Sequence, residues 1–155
     1  MSFDYFLSEE RGEKIHLKVP VVEDGCLKED NDGNIIFIDT DHWVELQPRG
    51  SREFSYAIRM FIEKSRQLEK IVEAAKQDVF SSEKELEDAM KRLDDIVIEF
   101  NAACIKDWDE TAFKMPFSRE NAKIVFARER MVHIFAQIAK AVDMSFASVL
   151  ETKKG

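Results

Sequence analysis

From Ser51 onward the apolar residues recur with alternating gaps of four and three: Phe54, Ile58, Phe61, Ser65, Leu68, Val72 and Ala75, with charged residues between them. One face of a helix returns on that period, so the spacing predicts a long amphipathic helix. Leu86, Met90, Leu93, Val97, Phe100 and Cys104 repeat it. Ahead of them, Ser81-Ser82-Glu-Lys-Glu85 contains a capping box, in which a Ser hydroxyl and a Glu carboxylate satisfy otherwise orphaned backbone N–H groups. A second helix is expected from near Glu83, antiparallel to the first, giving a helical hairpin over 52–106. The same spacing permits the two helices to pair within one chain or between two.

The helical pattern stops at Asp107-Trp-Asp-Glu-Thr111, and Pro116 cannot occupy a helix interior, so 107–117 reads as a loop carrying Trp108, Phe113, Met115 and Phe117. Pro116 then fixes the approach to a third helix over 118–143, Ser118 caps it and Glu120 complements its dipole. This helix presents Ile124, Ala127, Met131, Phe135, Ile138 and Val142, with Trp108 placed to fold back over it. Ser145 is expected to cap a short last helix over 145–151 that carries Phe146, Val149 and Leu150.

The first 50 residues follow another pattern. Ile15, Leu17 and Val19 alternate with His16 and Lys18, which predicts a half-buried strand over 14–19 whose end, at Pro20, lies at an edge. A turn at Asn31-Asp-Gly33 leads into a β-branched run, Asn34 to Ile38, and His42 to Gln47 reads as a third strand closed by Pro48-Arg-Gly50. The expected fold class is therefore α+β, predominantly α: a small antiparallel β meander in a β-rich segment over 1–50, then a helical domain over 51–150, the two forming one structural unit.

Composition sharpens this division. The chain has 155 residues and a formal charge of -8, and residues 1–50 hold 12 Asp and Glu against 5 Lys and Arg, while the remainder is close to neutral. A chain of this length can bury roughly 68–70% of its unfolded surface without a disulfide or a metal. Net acidity opposes phosphate neutralisation and so argues against nucleic acid as a partner. There is no apolar run of membrane-spanning length, and the opening MSFDYFLSEERGEKIH carries acidic residues where an export signal carries basic ones, so a cytoplasmic location is expected.

Candidate chemistry is sparse. Lys28 to Gly33 resembles part of a calcium loop, but Lys28 and Asp39 occupy the first and last ligand positions, which favours a plain β-turn. His16, His42 and His133 stand singly, and Cys26 and Cys104 lie far apart without a CxxC, so neither set has metal-ligand spacing. No GxSxG elbow occurs, and the absence of glycine from 51 to 154 excludes a P-loop there. Carboxylates such as Asp94-Asp95 and Asp107/Asp109 fall on polar faces or in the loop, where a solvated role is expected. The reading is a non-enzymatic protein without metal or cofactor. The last third is rich in Phe113, Met115, Phe117, Phe126, Met131, Phe135, Met144 and Phe146, soft apolar residues that suit either a small helical core or an adaptable partner surface.

The stretch Trp108-Asp-Glu-Thr-Ala-Phe-Lys-Met-Pro-Phe-Ser-Arg-Glu-Asn121, followed by an amphipathic helix, resembles the C-terminal half of the tail assembly chaperones of long-tailed bacteriophages. The match is specific over about residues 104–138 and rests on Trp108, Pro116, Phe117, Ser118, Glu120 and Asn121. Elsewhere it is a likeness of element order. The family's loop often carries a glycine before its Pro-Phe, which this loop lacks. The resemblance implies a protein of the bacterial host cytoplasm that coats the long helical tape measure protein, keeps it soluble and recruits tail tube subunits. In the family a longer frameshifted product often accompanies the short one, and Lys153-Lys154 are compatible with a slippery codon run. Phe61, Phe113, Met115, Phe117, Met131, Phe135 and Phe146 are the expected partner-binding residues, with self-association through the helices a further expectation. Two other readings stand beside it: a structural tail component contacted through the meander, and a small acidic regulator masking a basic target.

Overall fold

The computed structural model describes residues 12–77 and 82–154. The Ser81-Ser82 capping box, the first 11 residues, and the side chains of Ala75, Val149 and Leu150 lie outside the described residues.

Strand β1 (Lys14–Pro20) pairs antiparallel with β4 (Phe37–Leu46), from Lys14 opposite Glu45 to Pro20 opposite Phe37. Between them the chain makes a short ladder, β2 (Val22–Glu23) with β3 (Cys26–Leu27), and a second turn closed by the Glu29–Ile35 bridge. Asp24 and Gly25 both have positive φ, the requirement of a type I′ hairpin turn. Gly33 is also at positive φ, and the Asp30 carboxylate accepts from the N–H groups of Asp32 and Asn34. That carboxylate is thus used by its own turn.

The two strands expected at 34–38 and 42–47 are one. Nothing between them breaks a strand; the register instead slips at Thr40, whose hydroxyl donates to the Leu17 carbonyl and accepts from the His42 N–H. The third strand of the sheet is not a meander neighbour either. It is β5 (Ile105–Trp108), which pairs antiparallel with β4 to give the order β1-β4-β5. The sheet therefore draws strands from both sides of residue 50. Gly12 lies so close to β4 that a Cβ there would stand 1.6 Å from the Leu46 carbonyl oxygen.

Helix α1 (Arg52–Lys76) starts where Ser51 accepts from the Phe54 N–H, and α2 (Ser82–Ala103) returns antiparallel to it, so the hairpin closes within the chain. The predicted loop at 107–117 contains the end of β5 and one helical turn, α3 (Glu110–Phe113). The predicted helix over 118–143 is broken. Helix α4 (Arg119–Phe126) ends, the chain turns through a 3-10 segment at Glu129–Met131, and α5 (Val132–Lys154) continues without interruption through Ser145, which is buried mid-helix instead of capping. No Pro or Gly marks the break; the extended conformation of Arg128 redirects the chain so that α5 lies along β1. Gln137 then donates to the Lys18 carbonyl and accepts from the Lys18 N–H, both at 2.8 Å, so a side-chain amide occupies the backbone groups of an edge strand.

One core joins these parts. Leu17, Val44 and Leu46 of the sheet meet Phe54 and Ala57 of α1, Phe100 of α2, Ile105 and Trp108 of β5, Val125 and Phe126 of α4, and Ile138 and Val142 of α5. Helix α2 is central, with α1 on one side and α4 and α5 on the other. Its expected apolar stripe consequently divides: Phe100 and Cys104 are buried, whereas Met90 and Leu93 are 69% and 42% exposed.

Candidate functional site

Trp108 organises the motif region. It is 2% exposed, stacks on Phe113 at 4.2 Å between ring centroids, and meets Phe117 and Phe126 edge-on at 5.4 and 6.3 Å. Its indole N–H donates to the Met115 carbonyl at 2.9 Å. Asp109 caps α3 by accepting from the Thr111 N–H, and Lys114 ends that turn in the left-handed region at φ 60°. Ser118 accepts from the Asn121 N–H at the start of α4, and the Asn121 side chain donates back to the Pro116 carbonyl. Glu120 lies in the first turn of α4 beside Lys123 at 3.1 Å. Trp108, Pro116, Ser118 and Asn121 are thus tied together by hydrogen bonds and packing; they build a scaffold, and Phe113, Met115 and Phe117 are half-buried within it.

Asp109 also ties this region to the sheet. Its carboxylate accepts from Nδ1 of His42 at 2.9 Å, and this bond holds the Asp109 carboxyl below its usual value of 3.8, with smaller help from the Thr111 N–H. Cys104, at the start of β5, is fully buried, and burial pushes its thiol up to about 12. At neutral pH it stays protonated and is no thiolate nucleophile. Cys26 is exposed on β3.

The remaining expected partner residues separate onto different faces. Phe135 packs against Phe126 at 5.0 Å and, with Val132, forms one wall of an open groove of about 790 Å³. The facing wall is α2, through Leu93, Val97 and Ile98. Val132 is 55% exposed, and the rim carries both signs of charge, Lys91 and Arg128 with Asp94, Asp95 and Glu129. Met131, half-buried, packs against the core beside this groove. Phe61 lies elsewhere, its ring tilted against Phe100 at 4.6 Å between centroids, in a recess between α1, α2 and the start of α4. Phe146, half-buried on α5, lines neither space.

The α2–α5 groove is an open trough lined by apolar side chains and bordered by charged ones, a chemistry compatible with an amphipathic helix. Sequence reasoning placed Leu93 and Val97 in the α1 seam and did not single out Ile98 or Val132. The groove depends on a chain bend at Arg128 that no local residue announces, so the sequence carried no signal for it. Among the described residues no cluster of His, Cys, Asp or Glu is arranged to hold a metal, and no helix is long and apolar enough to cross a membrane. Compared with family models, curated proteins and solved structures, the chain matches none.

Proposed function

We propose that this chain is a non-enzymatic assembly chaperone that holds amphipathic helices of a long helical partner in the groove between α2 and α5. In the terms of the resemblance, the partner is a phage tape measure protein, kept soluble in the host cytoplasm until tail tube subunits assemble around it. The observation that carries the reading is the groove itself: Leu93, Val97, Ile98, Val132 and Phe135 leave apolar area accessible along it, while Phe126 is buried. The mixed-charge rim supports it, because an amphipathic helix brings its own charged flanks to such a border. The Trp108 scaffold gives the motif residues a physical role, fixing α4 and hence one end of the groove.

Co-expression with the tape measure candidate tests this. The partner is expected in the soluble fraction only when this chain is present; a partner equally soluble alone contradicts a chaperone role. A second reading is favoured by Val22, Leu27 and Ile38, which leave apolar surface exposed on the β extension. A structural tail component would use that surface. Mass spectrometry of purified particles separates the two, since a chaperone is absent from finished tails and a component is retained.

A further inference from the structure

Away from the groove, the end of the sheet beyond Leu17 and Val44 has no core of its own. No residue between these two is buried, and every residue from Val22 to Asn34 is exposed. This end nevertheless carries matched apolar side chains. Val19 lies opposite Ile38 and Val22 opposite Leu27 in register, and directly opposed residues of an antiparallel pair share a face. Val21 joins the two pairs, since its N–H donates to the Ile36 carbonyl and its carbonyl accepts from the Lys28 N–H. All four side chains are exposed, Val22 at 64% and Ile38 at 57%. The backbone ladder therefore holds an apolar surface that nothing in the described fold covers.

The surrounding charge selects what can cover it. Residues 21–41 hold seven Asp and Glu against one cation, Lys28, so this segment carries -6 of the chain's -8. Glu23 pairs with Lys28 at 3.5 Å, Asp39 pairs with Lys18 at 3.9 Å, and Asp30 serves its own turn. Asp24, Glu29, Asp32 and Asp41 have no cation within ion-pair distance among the described residues. A field of one sign around an apolar surface repels nucleic acid, an anionic lipid surface and the same segment of a second copy, and attracts a cationic protein surface. A partner with cations alone would bury Val22 and Ile38 against charge, so it needs aliphatic side chains as well.

We propose that the Val19–Ile38 and Val22–Leu27 pairs form a docking surface for a basic protein segment that carries Lys or Arg together with aliphatic side chains. The aliphatic side chains cover the two pairs, and the cations meet Asp24, Glu29 and Asp32. This surface shares no residue with the lining of the α2–α5 groove, and the inference does not rest on the proposed function.

Titration of a short alternating lysine–leucine peptide into the full chain, followed through side-chain methyl signals by NMR, tests it. The largest shifts are expected at Val22, Leu27 and Ile38, with a Kd that weakens several-fold between low and physiological salt. Val22→Thr with Ile38→Thr, and separately Asp24→Asn with Asp32→Asn, are each expected to weaken binding several-fold. All four positions are exposed; Thr keeps the strand preference and Asn the turn preference, so the fold is not at stake. Largest shifts at Val97 and Val132 place the peptide in the α2–α5 groove and overturn the inference, as does an absence of shifts at low salt. An all-lysine peptide that binds as tightly as the lysine–leucine one overturns it too, since charge alone then accounts for the signal.

Discussion

Ser65 stands where the α1 repeat calls for an apolar residue, and its hydroxyl is buried without a hydrogen-bond partner. A buried polar atom left unmade forfeits its hydration, and Ala is also the better helix former. Ser65→Ala is expected to stabilise the protein by about 1 kcal/mol, read as a higher urea midpoint at unchanged slope; a lower midpoint contradicts the assignment. The Asp109–His42 bond makes a different prediction. Because the folded carboxyl titrates below its ordinary value of 3.8, the stability it contributes is present above that value and is lost as pH falls through the lowered one. The stability difference between the wild type and Asp109→Asn should thus be constant at mildly acidic pH and shrink under strong acid. A difference that grows under strong acid contradicts the direction of the shift. The role of Asp109 as a link between β4 and α3 was not legible in the sequence, where it reads as a solvated loop residue, because its partner lies 67 positions away.

At the scale of elements, the 3.5-type spacing specifies α1 and α2 because each presents an apolar face to neighbours over six or seven turns. Ser118 specifies the start of α4 in the same way, through a local hydrogen bond. What was not legible has a common cause. Strand β5 is four residues with two charges, and it becomes a strand only because β4 offers an open edge. The break after α4 has no Gly or Pro, and it is set by the need to lay Ile138 and Val142 on the sheet. The Asp24-Gly25 turn did carry a local hairpin signal, as plain as the one at Asp32-Gly33. Lys114 is a non-glycine residue held in the left-handed region, at φ 60°. Lys114→Gly removes that strain, offset in part by a looser unfolded chain, and is expected to raise stability by about 0.5–1 kcal/mol. Thermal unfolding measures it, and a lower Tm contradicts a strained Lys114.

Over the whole molecule, the core joins the β-rich and helical parts through β5 and through the Gln137 contacts with Lys18, so α5 is fixed against the sheet while its other side borders the groove. This is why the groove was only partly legible. Periodicity places Phe135 on the apolar face of its helix, but which wall faces it depends on a three-helix arrangement that pair spacing does not encode. In the proposed function a partner helix lies between α2 and α5. Calorimetric titration of a helical segment of the partner into the wild type, Leu93→Asp, Val132→Asp and Met90→Asp measures it directly, since all three positions are exposed and only the first two line the groove. Leu93→Asp and Val132→Asp are each expected to weaken the Kd by about tenfold or more, the effect of removing an apolar contact and burying a charge, while Met90→Asp leaves it unchanged. Equal Kd values for the wild type and both groove variants would contradict this placement of the helix.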